Sequence, residues 1–257
     1  MDPFVVLITV LVLLTLFLGI GVWVGLSLFA VAIISLSLFR SMPVDKLLAQ
    51  LTYNTVTTPE MVALPMFILM AELLFHTKLS ASLFKGLAPW TNRLPGRMMH
   101  VNVLGCTLFA AISGSSAATA TTVGRITLSE LFKRGYDKDL AIGTLAGAGT
   151  LGFLIPPSII LIIYGVLSET SILKLFIAGI VPGLLLSLGF MGYVAIRATL
   201  NPSLIPDENI DATWRDRLNG LVDLGPVAFL ILLVLGSMYA GFASPSEAAA
   251  VGVLGAV

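Results

Sequence analysis

Two stretches of the chain set oxygen-rich, helix-breaking residues inside long apolar surroundings. The first is Ala111-Ile-Ser-Gly-Ser-Ser-Ala-Ala-Thr119, and the second is Gly147-Ala-Gly-Thr-Leu-Gly-Phe-Leu-Ile-Pro-Pro-Ser158. In the first, Ser113, Gly114, Ser115 and Ser116 form a polar turn, with Thr119, Thr121 and Thr122 just beyond it. Hydroxyl and carbonyl oxygens suit a hard cation such as Na⁺. The N-terminus of the helix that follows suits an anion. In the second, Pro156 and Pro157 have no N–H to donate and break any helix there. A kink needs only one proline. Gly147, Gly149, Thr150, Gly152, Pro156, Pro157 and Ser158 together fit an unwound segment with exposed carbonyls.

Each stretch has a blander reading. Ser, Thr and Gly also serve helix packing through small-xxx-small contacts, and the second stretch reads alternatively as a proline-kinked helix. Gly147-Ala-Gly149-Thr-Leu-Gly152 even matches G-x-G-x-x-G. That fingerprint requires a strand before it and a helix after it. Here a lipid-length helix precedes it and Ile-Pro-Pro follows. Irregular backbone at bilayer depth is tolerated only where protein buries it or where it lines a cavity. Two such interruptions on neighbouring elements point to the substrate and ion site of a transporter.

Composition fixes the solvent. Hydrophobic residues make up 57% of the 257 and charged residues 11%, where soluble domains carry about 25%. Mean hydropathy is +1.01. Net charge is zero and the basic residues form no stripe, so no nucleic-acid partner is implied. The single cysteine, Cys106, allows no intrachain disulfide. No Ser-His-Asp order or His-Glu-x-x-His motif suggests an enzyme, and no cofactor is expected. His76 and His100 are read as interfacial. Glu72 sits within a span, where a carboxylate is functional by default but also fits a polar interface near a helix end. Arg125, the one basic residue inside the first interrupted region, is a candidate contact for a substrate anion or a snorkelling side chain.

The elements that must position these residues follow from lengths. The apolar run Phe4 to Phe39 is too long for a signal peptide and lacks a basic start. It reads as one tilted helix or, better, two with a turn at Gly19-Ile-Gly21. Residues 41–57 read as an interfacial helix with Leu47, Leu48 and Leu51 on one face. Residues 59–76 read as a span and 77–97 as a basic, interfacial connection. Met98 to Ile112 is about 22 Å long as a helix, too short to cross a core of about 30 Å. With the return arm Ala117 to Leu131 it makes a re-entrant hairpin. Residues 139–167 read as a spanning helix broken from Gly147 to Ser158, 171–198 as a span, 199–220 as a polar linker, and 221–242 as a further span. Ser244-Pro-Ser-Glu247 opens a last apolar helix, which is expected to lack packing partners. The resulting divisions are 1–57, 58–97, 98–134, 135–170, 171–220 and 221–257.

Charge orients this layout. If both ends of the hairpin lie on one side, that side collects Lys78, Lys85, Arg93, Arg97, Lys133, Arg134, Lys138, Arg197, Arg215 and Arg217. The other side holds Arg40, Lys46 and Lys174. The bias makes the first side cytoplasmic.

Ser113-Gly-Ser-Ser-Ala-Ala-Thr-Ala120, Lys133-Arg-Gly-Tyr136, Gly149-Thr-Leu-Gly-Phe-Leu-Ile-Pro-Pro-Ser-Ile159 and Ser244-Pro-Ser-Glu-Ala-Ala-Ala-Val251 occur in that order. Together they resemble the large membrane subunit of TRAP transporters, the DctM type. The resemblance implies an all-α polytopic membrane protein of the bacterial inner membrane, built from two inverted repeats. Each repeat has a re-entrant hairpin and a broken helix, and an elevator-type movement carries the site. It implies Na⁺-coupled uptake of organic acids such as C4-dicarboxylates, sialic acids or keto acids. It also implies two partners, a small membrane subunit and a periplasmic substrate-binding protein. The second hairpin and second broken helix of that pattern are not in these residues, so the second repeat is read as truncated. The 257-residue chain alone is therefore not expected to transport. A membrane scaffold or assembly component without its own transport site is the alternative.

Overall fold

The computed structural model describes residues 3–39, 43–77, 79–206 and 213–256, and every regular element among them is helical. Lys78, Arg40, the side chain of His76 and the acidic part of the 199–220 segment lie outside the described residues. The chain divides into two units, Met1–Thr57 and Thr58–Val257.

In the first unit the apolar N-terminal run is two helices, α1 (Pro3–Gly19) and α2 (Val24–Phe39). Gly21 makes the break. Its φ of +84° is left-handed, and Val22 N–H reaches back to the Phe17 carbonyl. α1 buries no residue, and α2 buries only Ser27 and Val31. α3 (Val44–Val56) follows and leaves Leu51 and Tyr53 exposed.

The second unit begins with a 3₁₀ turn at Pro59–Val62 and α4 (Ala63–His76). α4 buries Ala63, Phe67, Met70 and Leu74, one stripe at helical spacing. α5 (Leu79–Thr91) occupies most of the stretch expected to be a connection. It buries Leu83 and Leu87, a pair that the intervening Lys85 and the flanking basic residues obscured in the sequence. α6 (Met99–Ser113) and α7 (Ser116–Lys133) pair antiparallel, with Gly105 against Val123. α8 (Lys138–Gly149), a 3₁₀ turn (Thr150–Phe153) and α9 (Ile159–Leu167) form the broken helix. α10 (Ile172–Leu200) and α11 (Trp214–Tyr239) are the two described helices long and apolar enough to cross a bilayer. α12 (Pro245–Ala256) ends the described chain.

Two expectations change here. The segment 199–220 is not all linker, because α11 starts at Trp214. Thr213 Oγ1 accepts from the Asp216 N–H, and the Asp216 carboxylate accepts from the Thr213 N–H, so a capping box opens the helix among residues that read as solvated. The last helix is also not short of partners. Its face of small residues lets it lie between α4 and α11. A Cβ on Gly252 would sit 2.5 Å from Met70 Sδ and 2.8 Å from Val234 Cγ2. Ser246 Oγ donates to the Pro59 carbonyl at 2.8 Å.

Hydrogen bonds gather three loops at one end of the second unit. Arg97 donates to the Pro206 carbonyl at 2.8 Å, Asp137 N–H to the Leu204 carbonyl at 3.1 Å, and Met98 N–H to the Tyr136 hydroxyl at 3.4 Å. The hairpin base, the start of α8 and the end of α10 therefore share one edge. That edge carries Arg97, Lys133, Arg134, Lys138 and Arg197, a subset of the basic group on which the charge argument relied.

α5 and α11 cross backbone to backbone. A Cβ on Gly220 would lie 2.7 Å from the Gly86 carbonyl oxygen, and one on Gly86 2.7 Å from the Gly220 oxygen. Neither carbonyl can move without bending its helix. Gly220→Ala is expected to cost about 1–3 kcal/mol of overpacking. Gly236→Ala on the same helix, with nothing within 4 Å, is expected to be neutral or to gain up to about 1 kcal/mol of helix propensity. Thermal unfolding of the two variants in detergent checks this, and equal midpoints would refute the crossing.

Candidate functional site

The hairpin tip is built from two helix ends. Gly114 terminates α6 in the left-handed conformation, at φ +59°, and its N–H pairs with the Ala110 carbonyl at 3.0 Å. Ser115 then caps α7, its Oγ accepting from the Ala118 N–H at 3.4 Å. Ser113 and Thr119 are fully buried, and their hydroxyls meet at 2.8 Å across the turn. Thr121 lies on the outer side of α7 and satisfies itself on the Ala117 carbonyl.

The interruption in the second element follows from its prolines. In a continuous helix the Gly152 and Phe153 carbonyls would accept from the nitrogens of residues 156 and 157. Both nitrogens belong to proline and carry no hydrogen. Ser158 resolves half of this deficit. Its Oγ donates to the Phe153 carbonyl at 2.8 Å and accepts from the Leu161 N–H at 3.5 Å, so it caps α9 as well. Thr150 Oγ1 donates to the Gly147 carbonyl at 2.7 Å and closes the end of α8.

The unwound segment is shorter than the sequence indicated. Gly147 and Gly149 are the last turn of α8, and the helix yields only from Thr150. Their glycines serve close approach instead. A Cβ on Gly149 would lie 2.9 Å from Ala120 Cβ on α7, and one on Gly147 2.9 Å from the Phe190 ring on α10. Gly152 is wedged against the tip, 2.7 Å from the Ser116 nitrogen by the same measure.

Tip and break are in direct contact. The Gly114 carbonyl accepts from the Ile159 N–H at 3.1 Å, so the hairpin turn satisfies a first-turn donor of α9. Ser116 Oγ reaches the Thr150 carbonyl at 3.4 Å. A Cβ on Gly114 would lie 2.5 Å from the Pro157 oxygen. Ser113, Gly114, Ser115, Ser116 and Thr119 are thereby brought together with Thr150, Gly152, Pro157 and Ser158. Pro156 belongs to the same loop and is buried. The N-termini of α7 and α9 meet here, and each favours negative charge. Oxygens from the end of α8 and the loop lie beside them.

Arg125 is elsewhere. It is exposed on α7, with its guanidinium 5.4 Å from the centroid of the Phe75 ring. Glu72 is exposed on α4. His100 is buried within the fold at the start of α6, with its Nε2 2.6 Å from the Pro95 carbonyl. The turn at Pro95-Gly96 folds back over the start of α6, and Gly96, at φ +102°, makes room for the ring.

The sequence reading passed over the polar ties that hold the hairpin's first arm. Asn102 is fully buried and donates to the Ala141 carbonyl and to Thr144 Oγ1 on α8, each at 3.2 Å. Thr107 and Ser187 pair at 2.7 Å between α6 and α10. The available signal was a lone Asn in the apolar run 98–112, since amides and hydroxyls at that depth act as glue between helices.

Comparison with known proteins gives a consistent family. Residues 11–257 match the model of the tripartite ATP-independent periplasmic transporter, DctM component. The chain is similar to the C4-dicarboxylate TRAP transporter large permease protein DctM of Vibrio cholerae, at 34% identity over 74% of this chain and 42% of that protein. It is 37% identical to the ectoine TRAP transporter large permease protein TeaC of Halomonas elongata, over 77% of this chain and 45% of that protein. It is 33% identical to the sialic acid TRAP transporter permease protein SiaT of Haemophilus influenzae, over 87% of this chain and 36% of that protein. The chain spans about half the length, or less, of these relatives.

The docking of tip on break turns on Gly114. Gly135 also has positive φ, at +81°, but has nothing within 4 Å. Gly135→Ala is expected to cost about 1–2 kcal/mol of left-handed strain. Gly114→Ala adds a clash with the Pro157 carbonyl, for a total of roughly 2–4 kcal/mol. Unfolding midpoints of the two variants, measured side by side, should differ by several degrees, and indistinguishable midpoints would contradict the contact.

Proposed function

This chain belongs to the DctM component family of tripartite ATP-independent periplasmic transporters, and we propose that it supplies one half of the substrate and ion site of such a permease. The permease imports organic acids such as C4-dicarboxylates, sialic acids or keto acids across the bacterial inner membrane, driven by Na⁺. It works with a small membrane subunit and a periplasmic substrate-binding protein. A second hairpin and broken helix, in the remainder of the permease, supply the other half in inverted orientation. The site moves across the bilayer with its rigid surroundings, in an elevator manner.

The observation that carries this reading is the backbone bond from Ile159 N–H to the Gly114 carbonyl. It joins two interrupted elements at their interruptions. A Na⁺ ion finds hydroxyl and carbonyl oxygen there, with Ser113, Ser115 and Thr119 on one side and Thr150 on the other. The Gly152 carbonyl, whose helical donor would be the nitrogen of Pro156, is the backbone ligand best placed by chemistry. The substrate's carboxylate finds the free N–H groups of the first turns of α7 and α9. Cation and anion then neutralise each other in a space that excludes lipid, which couples their binding without a covalent step.

The test is uptake by the full-length permease, reconstituted with its two partners, under an imposed Na⁺ gradient. The substrate panel contains C4-dicarboxylates, sialic acid, keto acids and ectoine. Ser115→Ala and Pro157→Ala are expected to raise the Na⁺ concentration for half-maximal uptake about tenfold, the loss of about 1.4 kcal/mol of binding, while unfolding midpoints fall less. An unchanged Na⁺ dependence in both variants removes the ion from this site.

A further inference from the structure

The outer face of α7 differs from the outer faces of the long helices. Ala117, Thr121, Arg125 and Ser129 are exposed and recur every four residues, which places them on one ridge. No large apolar side chain of α7 is exposed. On α10, by contrast, Val181, Leu185 and Leu188 are each more than half exposed, and on α11 Val222, Phe229 and Leu232 are too. Those faces are dressed for hydrocarbon, and the α7 ridge is not.

Arg125 sharpens the contrast. It lies nine residues after Ser116 and eight before Lys133, or about 14 Å and 12 Å along the helix. It is mid-arm, with the tip at one end and the basic loops at the other. Among the described residues it has no carboxylate partner, and its one specific contact is the Phe75 ring on α4. An arginine there that faced lipid would be costly, and one sealed against protein would need a counter-charge. Water, or a passing anion, satisfies it. A cation–π contact at an exposed site is weak, and a bidentate carboxylate pair is stronger and geometrically matched to guanidinium. The Phe75 ring therefore holds Arg125 in place without competing with an arriving acid.

We propose that the Ala117–Thr121–Arg125–Ser129 ridge of α7 lines a water-filled path between the hairpin tip and the basic end of the molecule, with Arg125 as a contact for the substrate's carboxylate on that path. The path deepens the transport reading given above and rests on it. The hydroxyls of Thr121 and Ser129 are already satisfied by the Ala117 and Ile126 carbonyls. They wet the ridge without gripping the solute, so Arg125 is the one strong station along it.

Thiol labelling tests the path without requiring transport. Cys106 is fully buried and is replaced in a cysteine-free full-length permease. Thr121→Cys, Ser129→Cys and the control Leu185→Cys are then treated in membrane vesicles with membrane-impermeant methanethiosulfonates. Both ridge positions are expected to react and Leu185→Cys not to. At Ser129→Cys an anionic reagent should outpace its cationic counterpart at least threefold relative to their rates with a free thiol, because Arg125 raises the local anion concentration. Arg125→Gln should abolish that preference and Arg125→Lys should keep part of it. In uptake, Arg125→Gln should raise the substrate KM roughly tenfold and leave the Na⁺ dependence unaltered. Ridge positions as unreactive as Leu185→Cys would overturn the path. Reactive positions with no anion preference would overturn the role of Arg125. Labelling lost with uptake intact rejects the ridge alone, and labelling intact with no uptake of any acid in the panel rejects the transport reading.

Discussion

A helix that stops short inside a membrane protein leaves up to four N–H groups or four carbonyls without intrahelical partners, and lipid offers no water to take them. The second unit stops or starts helices at Ser113, Ser116, Gly149 and Ile159. Those ends must be satisfied by one another or by something that binds there. Ser115 and Ser158 each cap the helix that begins after them. Ser158 also takes the Phe153 carbonyl that proline stranded. The Gly114 carbonyl closes the circuit by entering the first turn of α9. The groups left over are helix-end oxygens and N–H groups, and these are the ones on which the proposed site draws.

That circuit requires backbone to meet backbone, which is why small residues surround it. Gly152 brings the 3₁₀ turn against Ser115 and Ser116, and Gly149 lets α8 touch Ala120. On the outer side, α10 offers Gly179 and Gly183 to the loop. A Cβ at Gly179 would stand 2.5 Å from the Leu154 oxygen, and one at Gly183 2.8 Å from Ile155. The irregular segment lies in a trough between the glycine of the tip and those of α10. The price of such a trough is the loss of large apolar contacts, and it is offset away from the site by Phe67, Met70, Leu131, Ile162 and Phe176, all essentially buried.

The sequence exposed this architecture where a residue type permits one outcome. Two consecutive prolines interrupt helical hydrogen bonding, and Ser-Gly-Ser-Ser between two arms too short to cross reads as a turn. Gly19-Ile-Gly21 marked the break between α1 and α2 on the same grounds. It was opaque where a residue type has two uses. Gly147 and Gly149 looked like further unwinding and are helical contact points, because glycine both loosens a chain and lets chains approach. Arg215, Asp216 and Arg217 looked like solvated linker, yet Thr213 and Asp216 open a 26-residue helix. Asn102 was unreadable for a different reason. Its partners, the Ala141 carbonyl and Thr144, are some forty residues away and become neighbours only once α8 lies along α6.

α7 shows how one helix reconciles these demands. Its inner face carries Thr119, Val123 and Gly124, all buried, with Thr119 and Val123 meeting α6 and Gly124 meeting α8. Gly124 admits Leu145 so closely that a Cβ would stand 2.6 Å from its Cδ2. That face holds the arm against α6 and α8, and hydrogen bonds from Asn102 to α8 and from Thr107 to Ser187 on α10 tie α6 to the same helices. The outer face is then free of packing duty and needs no apolar bulk. A residue such as Arg125 is tolerated there because the inner face already anchors the helix. The polarity of one side is therefore compatible with the tightness of the other, because the close approaches of Gly124 to Leu145 and of Gly149 to Ala120 already hold α7 against α8.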